Sequence, residues 1–462
     1  MFMETLNAVI IQYPNPASYL LMTYYLLNFA KIILAESLKR RLGYNSWRIL
    51  LQNSNQWSTK DLHNFQLEKL RQLFIRADRV PYYAKVFKNV GFNPRRLSSL
   101  SEISQLPLLD KNTIHQYSGD FPIFWPMRRL ARQVSTGGST GEPLQFIQSL
   151  VGLTAEQAFI DHIWSAGGFK PGMKMAIIRG NWIGKLHRMR VGQMLFISGY
   201  EHESQVMLGN IRALESFQPD FIHAYPSLLH RLACFILDND VRIKVDCKAV
   251  FCGSEAIYPH QRDQITSVFK CPIITWYGQS EQVALATGCP DGSFVFFPQY
   301  SFVEFLPVRD DMYEIVGTGW LNQAFPFIRY RTGDLVSGIE SHCFAESGTP
   351  VIRIKSLVGR SQHMVVLNDG TVTPLNHVIY SLHGDEWKNI QYFQFVQESQ
   401  GQLLLLVVPK RRRDLRWGTA MTNSLRKKFG NLLTIQIEET EKLDSSNTLK
   451  FPYFVSQLPD KY

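Results

Sequence analysis

The middle of the chain alternates between short apolar runs and amphipathic segments. MKMAIIRG (173–180) and FIHAYP (221–226) are typical of buried strands, whereas VMLGNIRALESFQPD (206–220) has apolar residues at helical spacing. Strands that alternate with helices pair in parallel, because each return to the sheet needs a crossover connection. We therefore predict an α/β domain with a parallel sheet from about residue 130 to residue 300.

The flanking segments follow other patterns. Residues 60–90 have helical spacing, and Ser101 and Asp110 are predicted N-caps of two short helices that follow. Residues 294–330 contain strand-like runs with no helix between them, which predicts a meander or a barrel-like sheet. The remainder, 360–462, reads as a small α+β domain with a hairpin turn at Asp369-Gly370.

Composition and charge narrow the choice of function only a little. The 462 residues predict two or three domains, and the net charge of +10 suits either an anionic ligand or a plain charged surface. The sequence lacks the interleaved basic and aromatic residues that are typical of nucleic-acid-binding modules, so we predict no nucleic-acid partner. The six cysteines include no C-x-x-C pair, which favours buried thiols in a reducing cytoplasm over a zinc site or a disulfide framework.

The N-terminal segment has an apolar stretch from Ala17 to Ala35 that Asn28 and Lys31 interrupt. It lacks the basic start and the small-residue cleavage site of a signal peptide, and it is too polar for a typical spanning helix. We expect packed helices here. A helix that lies on a membrane surface is the alternative.

A glycine- and hydroxyl-rich loop is the first candidate for chemistry. VSTGGSTGEPLQF (134–146) contains three glycines and four Ser or Thr residues in front of a strand-like tail. Such a loop can surround phosphate oxygens with N–H and O–H donors, but a plain Ser/Gly turn has the same composition. It is not a Walker loop, because Glu142-Pro143 stands where Lys and Ser/Thr would be.

Other polar loops follow predicted strands. They are FCGSEAIYP (251–259), TWYGQSEQ (275–282), RYRTGDL (329–335) and LVGRSQH (357–363). The carboxyl ends of parallel strands are where ligands bind in α/β sheets, so we expect the first two loops to share one site. Each motif alone is weak, since an Asp or a Glu in a loop is usually a surface residue.

Taken together and in this order, the motifs resemble the phenylacetate–coenzyme A ligase-like family of adenylate-forming enzymes. The resemblance runs from about residue 55 to residue 455. It implies a large α/β domain with parallel sheets, helices and a barrel-like β region, followed by a small mobile α+β domain. The boundaries it suggests are an N-terminal helical segment at 1–55, an AMP-binding domain at 56–358 and a C-terminal domain at 359–462.

The resemblance also implies a role for each motif. The phosphate loop would hold ATP through Thr136, Gly137, Gly138, Ser139, Thr140 and Gly141, and Gly253, Ser254, Glu255, Tyr277 and Gly278 would form the adenine side. Tyr277 would stack on adenine, Asp334 would accept hydrogen bonds from the ribose hydroxyls, and Arg360 would reach the ribose and phosphates. Glu281 would bind Mg²⁺, a cation that prefers oxygen ligands.

A C-terminal lysine, Lys450, matches the family's catalytic lysine, which would stabilise charge between the acid and the α-phosphate. A surface lysine is the alternative. The surrounding residues depart from the family pattern, with Leu449 for a glycine, Pro452 for a basic residue, and Gln362-His363 for an acidic pair after the hinge. We expect these departures to affect the conformation of the lysine loop and the behaviour of the hinge.

The resemblance predicts an ATP-dependent ligase that makes an acyl-adenylate and passes the acyl group to an acceptor, with coenzyme A as the expected thiol. Tyr225, Phe251 and Cys252 are candidate walls of an acyl pocket for an apolar or aromatic acid, although the same residue types serve equally as core. Two alternatives stay open: an amide-forming or adenylyl-transferring relative in surface-polysaccharide synthesis, and a non-catalytic nucleotide-binding protein. The sequence indicates no particular acid and no oligomeric state.

Overall fold

A computed structural model describes most of the chain. The described residues are 43–121, 131–135, 144–179, 187–199, 203–344, 350–360, 363–380, 390–409, 416–440, 443 and 453–458. The predictions for the N-terminal apolar stretch, the phosphate loop and Lys450 therefore lie outside the described residues.

The helices in these ranges are amphipathic or buried segments of 6 to 19 residues. They are α1 (Tyr44–Asn53), α2 (Thr59–Ala77), α3 (Pro81–Asn89), α4 (Lys111–Gln116), α5 (Leu150–Ser165), α6 (Ser204–Phe217), α7 (Pro226–Asp238), α8 (Pro259–Phe269), α9 (Leu375–Tyr380) and α10 (Arg416–Phe429). None of them combines the length and the apolarity needed to cross a bilayer.

The strands of the described residues fall into one large sheet and three small ones. They are β1 (Ala131–Ser135), β2 (Gln145–Ser149), β3 (Met175–Arg179), β4 (Arg188–Val191), β5 (Met194–Ser198), β6 (Phe221–Ala224), β7 (Ala249–Cys252), β8 (Ile273–Gly278), β9 (Leu285–Gly288), β10 (Phe294–Phe296), β11 (Ser301–Arg309), β12 (Met312–Gly319), β13 (Phe327–Phe344), β14 (Pro350–Arg360), β15 (Met364–Val366), β16 (Val372–Pro374), β17 (Ile390–Ser399), β18 (Gln402–Pro409), β19 (Thr434–Glu439) and β20 (Phe454–Ser456).

The large sheet has the order β11-β12-β13-β14-β10-β9-β8-β7-β6-β3-β5-β4. Strands β5, β3, β6, β7 and β8 are parallel neighbours, and α6, α7 and α8 connect successive strands of this half. The predicted α/β domain is therefore confirmed. The other half of the sheet, from β8 to β11 in the order above, pairs antiparallel. The region predicted as a meander or a barrel-like sheet is therefore a meander that continues the same sheet.

Local capping explains where the N-terminal helices begin. The helical region predicted for 60–90 is two helices, because α2 ends at Ala77 and Pro81, which has no backbone N–H, starts α3. Asp110 caps α4 as predicted, accepting a 2.7 Å hydrogen bond from the backbone N–H of Thr113. The prediction for Ser101 was wrong by two residues, since Ser99 is the N-cap and forms a capping box with Glu102.

The C-terminal strands form a separate four-stranded sheet, β19-β18-β17-β20. Its apolar core also takes in Tyr258, which precedes α8. A second apolar cluster joins Leu335 and Val358 of the large sheet to Met364, Val366 and Val372. The predicted hairpin at Asp369-Gly370 joins β15 and β16, and Gly370 has a φ of 80°, a conformation that glycine adopts without strain. The α+β character is confirmed, while the predicted domain boundaries stay a prediction.

Candidate active site

The carboxyl ends of β7 and β8 bring two of the predicted loops together. Gly253 directly follows β7, and a Cβ atom at this position would lie only 2.4 Å from the ring of Trp276 on β8. A real Cβ cannot approach so closely, so glycine is required for the indole to pack over this strand end. The next residue, Ser254, has a φ of 70° and turns the chain away from the sheet. Glu255 then accepts a hydrogen bond from the backbone N–H of Ser227.

Tyr277, Asp334 and Arg360 form one hydrogen-bonded cluster, although they are far apart in the sequence. The Tyr277 hydroxyl donates a 2.8 Å hydrogen bond to Oδ2 of Asp334, and Arg360 Nε lies 3.3 Å from Oδ1 of the same carboxylate. The cluster forms because Tyr277 closes β8 while Asp334 and Arg360 are direct partners on β13 and β14. Burial, together with the negative charge of Asp334, raises the pKa of Tyr277 well above its ordinary value, so the phenol stays protonated and donates.

Arg360 keeps part of its side chain accessible. About 44% of the side chain is exposed, against 14% for Asp334, so the guanidinium can still contact a ligand. Its pKa is raised, chiefly by the Asp334 carboxylate, and it remains a permanent positive charge at this edge of the sheet.

Glu281 lies beside this cluster and is only 9% exposed. Burial raises its pKa, and the Arg360 charge opposes that rise. Tyr330 donates to Oε1 of Glu281 over 3.3 Å. Sequence reasoning assigned no role to Tyr330, although its place in RYRTGDL, four residues before Asp334 on the same strand, is the signal that could have identified it.

A second buried carboxylate, Glu156 on α5, supports the loop that carries Glu281. Glu156 accepts hydrogen bonds of 2.8 Å from Gln282 Nε2 and from the Tyr300 hydroxyl. Gln282 has a left-handed backbone with a φ of 58°, so its side-chain anchor fixes the direction in which Glu281 leaves the turn. Burial raises the pKa of Glu156 and favours its neutral form. This network had no signal in the sequence, because its three residues come from separate segments.

A magnesium ion would find one suitable carboxylate here. Within the described residues, no group of three or more His, Cys, Asp or Glu side chains could hold a metal ion. Glu281 offers hard oxygen donors in a buried setting, where a cation would offset the cost of ionising the acid. That fits Mg²⁺, which usually takes one or two carboxylates, substrate phosphates and waters.

The three candidate acyl-pocket residues do not line one surface. Phe251 is fully buried and stacks on Trp164 of α5 with ring centroids 4.7 Å apart, whereas Cys252 points to the opposite face of the sheet and packs in the helical core. Burial raises the pKa of Cys252 to about 12. Tyr225 follows β6, and the Arg179 guanidinium lies 5.5 Å from its ring. The role of each residue in substrate binding stays a prediction.

The predicted hinge lies at the end of β14, at Gly359. Gly359 has a φ of 127°, in the range that favours glycine. His363 is tied on both sides, since its N–H donates to the Arg360 carbonyl and its own carbonyl accepts from Leu375. Burial lowers the pKa of His363 to about 4, so the ring is neutral where the family pattern has an acid.

The nucleotide-loop predictions can be compared with the structure only at their flanks. Strands β1 and β2 on either side pair antiparallel, with Ser135 opposite Gln145. The predicted strand-like tail is β2, and it leads directly into α5, whose N-cap is Ser149. The loop residues themselves, like Lys450, stay predictions.

Known proteins share the fold of this chain. The fold resembles that of 2-hydroxyisobutyryl-CoA ligase, solved in a postadenylation state, with a TM-score of 0.66 over 88% of this chain and 92% of that chain, at 15% identity. The likeness shows that the two proteins share a fold. No protein-family model matches the chain.

Sequence relatives narrow the class. Phenylacetate–coenzyme A ligase of Pseudomonas putida is 28% identical over 356 residues, covering 71% of this chain and 77% of the relative. Protein CapK of Staphylococcus aureus is 26% identical over 304 residues, covering 64% and 67%. The chain is thus similar in sequence to phenylacetate–coenzyme A ligases and to Protein CapK over about two thirds of its length.

Proposed function

We propose that this protein is an ATP-dependent acid–thiol ligase. It would join a carboxylic acid to ATP as an acyl-adenylate, release pyrophosphate, and then pass the acyl group to coenzyme A. The observation that carries the proposal is the convergence of Tyr277, Glu281, Asp334 and Arg360 at one edge of the sheet, in a fold whose sequence relatives include several phenylacetate–coenzyme A ligases.

The cluster suits a nucleotide because each group offers a different contact. The Asp334 carboxylate can accept from the two ribose hydroxyls, and the exposed part of Arg360 can reach phosphate oxygens. Tyr277 is held in position by its bond to Asp334 and has an aromatic face for the base. Mg²⁺ bound at Glu281 would neutralise phosphate charge during the reaction.

In the first half-reaction a carboxylate oxygen of the acid bonds to the α-phosphorus as the bond to the pyrophosphate oxygen breaks. The protein contributes position and positive charge rather than a covalent group. Arg360 is one such charge, and Lys450 is the proposed second. In the second half-reaction the thiol sulfur bonds to the acyl carbon, the thiol loses its proton, and AMP leaves.

We further propose that residues 359–462 act as a mobile C-terminal domain that turns at Gly359. The separate sheet, its own apolar core and the glycine conformation at 359 support this. For the N-terminal segment we propose packed helices, and a helix on a membrane surface is the alternative.

The site of action we infer is the cytoplasm. Five cysteines in the described part of the chain are free thiols, and four of them are buried. Free buried thiols are usual in a reducing compartment.

Pyrophosphate release tests the proposal directly. The purified protein is incubated with Mg-ATP and a panel of aromatic, fatty and amino acids, with and without coenzyme A. Acid-dependent release supports adenylation, and thioester formation that requires coenzyme A supports the thiol as acceptor. Release without thioester would favour an amide-forming or adenylyl-transferring enzyme. ATP binding with no release for any acid would favour a non-catalytic nucleotide-binding protein.

A further inference from the structure

A small cavity lies against the N-terminal half of α5, beside Val151 and Ala155. Its volume is about 50 Å³, and it is bounded by α1, α2, the start of α5 and the segment after β12. The residues that matter for its chemistry are Trp47, Lys69, Gln72, Arg76, Trp320 and Gln323. Two aromatic rings, two amides and two cations therefore line one small, partly open cavity.

The two cations come from one face of α2. Lys69 and Arg76 are seven residues apart, which places them two turns apart on the same side of the helix, with Gln72 between them. The ammonium of Lys69 lies 5.3 Å from the centroids of both Trp47 and Phe65. The aromatic rings hold this charge close to the cavity.

Both charges are partly withdrawn from water. Burial lowers the pKa of Arg76, and burial together with the charge of Arg76 lowers the pKa of Lys69. The carboxylate of Glu68 opposes that lowering, but it accepts a 2.8 Å hydrogen bond from Gln72. Two like charges that repel one another across a cavity destabilise the empty form.

Neither cation has an acidic partner within the described residues. No carboxylate lies within 4.0 Å of Lys69 Nζ or of the Arg76 guanidinium, and neither side chain donates a hydrogen bond to protein there. Arg329 shows the usual arrangement for a buried arginine, with both Glu304 oxygens and two carbonyls as acceptors. A partly buried cation pair without acceptors is costly unless an anion joins it.

We propose that this cavity is a binding site for a phosphoryl group, held by Arg76 and Lys69. The volume holds a few water-sized atoms, which suits a tetrahedral oxyanion better than a nucleotide or a coenzyme. The planar fork of Arg76 matches two oxygens, Lys69 supplies a point charge, and the amides of Gln72 and Gln323 can donate to the rest. This proposal is independent of the ligase function.

The group could be free phosphate or part of a larger phosphate monoester, and the titration separates the two. Calorimetric titrations of the full chain with inorganic phosphate, and with glycerol phosphate as the monoester, are made at constant ionic strength without ATP. Tighter binding of the monoester identifies a ligand-borne group, and tighter binding of inorganic phosphate identifies the free ion.

The matched variants are Arg76→Met and Arg79→Met. Both remove one positive charge near the end of α2, but Arg79 is exposed and outside the cavity. We expect Arg76→Met to weaken binding of the preferred anion at least tenfold and Arg79→Met to leave it unchanged. Any anion binding at the nucleotide loop is the same in all three proteins, so a difference in affinity between them comes from the cavity. Equal affinity in all three, or no anion binding by the wild type, overturns the proposal.

Stability in phosphate-free buffer separates a binding role from a structural one. Removal of an uncompensated charge should leave Arg76→Met as stable to urea as the wild type, and phosphate should then raise the midpoint of the wild type and of Arg79→Met only. Loss of stability in Arg76→Met without phosphate would mean that the guanidinium serves the fold, and it would also overturn the proposal.

Discussion

Asp334 and Arg360 are direct cross-strand partners on β13 and β14, and their side chains meet at 3.3 Å. The pair lies where the large sheet ends and the C-terminal part of the chain begins. Asp334 is the proposed acceptor for the ribose hydroxyls, and Arg360 directly follows the proposed hinge residue Gly359. One pair of strands therefore holds both residues. Rotation at Gly359 would change the distance between the two groups, so nucleotide binding and domain orientation are expected to be coupled.

Asp334→Asn tests the ribose contact. The amide keeps the shape but loses the charge that Tyr277 and Arg360 contact, and hydrogen bonds to charged groups contribute about 1.5–3 kcal/mol. We expect the KM for ATP in pyrophosphate exchange to rise about 10- to 100-fold. Asp310→Asn is the control, because Asp310 is exposed and its left-handed turn accepts asparagine. An unchanged KM in Asp334→Asn would remove this residue from the site.

Glu281→Gln tests the metal contact and its pH dependence. We expect the Mg²⁺ concentration for half-maximal rate to rise at least tenfold, since a neutral amide is a weaker ligand than a carboxylate. Burial raises the pKa of Glu281, so the acid takes up its proton at a higher pH than an exposed glutamate. Wild-type rates should therefore fall as the pH drops through that raised pKa.

Mg²⁺ titrations of the wild type and of Glu281→Gln at several pH values measure both the Mg²⁺ requirement and its pH dependence. Tyr330→Phe, which removes only the 3.3 Å contact to Glu281, should change the Mg²⁺ requirement a few-fold at most. A Glu281→Gln protein with wild-type Mg²⁺ dependence would contradict the assignment.

Glu156→Gln tests the support beneath the Glu281 loop. Because the folded pKa of Glu156 is raised, its contribution to stability is full below the unfolded pKa and is lost as the pH rises through the folded pKa. The glutamine does not titrate; its amide oxygen can accept from Gln282, and its NH2 group can donate to the Tyr300 hydroxyl. We expect urea unfolding to show the variant gaining on the wild type as the pH rises from 5 to 8. A constant difference would mean that Glu156 is ionised in the fold.

Gly253→Ala tests the close packing at the end of β7. The new methyl group would meet Trp276 at 2.4 Å and displace the indole next to Tyr277. Overpacking of this kind costs about 1–3 kcal/mol, so both urea stability and ATP affinity should fall. Gly119→Ala is the control, since a Cβ there meets nothing within 4 Å. Equal behaviour of the two variants would show that the indole can move freely.

Arg329→Met tests a buried ion pair that fixes the N-terminal part of the fold to the sheet. Arg329 contacts both carboxylate oxygens of Glu304 and donates to the carbonyls of Ser104 and Leu106. Its removal leaves the partly buried Glu304 carboxylate and two carbonyls without this donor, and breaking a buried pair costs about 3–5 kcal/mol. The urea midpoint should fall accordingly. Exposed Lys85→Met, which breaks the surface pair with Asp120, should cost at most about 1 kcal/mol.

The sequence by itself determined the order of the elements. Pro219 after the apolar period of α6, Pro81 before α3 and Asp369-Gly370 between two strands act locally, so their effects can be read within a few residues of chain. The motifs likewise predicted roles for Tyr277, Asp334 and Arg360, because those residue types and their order along the chain form a recognisable pattern.

Only the tertiary structure decided which of these residues meet. The contact of Tyr277 with Asp334 joins residues 57 positions apart, and the bonds of Glu156 to Gln282 and Tyr300 span still longer separations. It also placed Phe251 and Cys252 on opposite faces of the sheet, and it left Lys69 and Arg76 without acidic partners among the described residues. Local patterns fix hydrogen bonding and periodicity within an element, whereas contacts between elements depend on strand order and register, which distant segments set together.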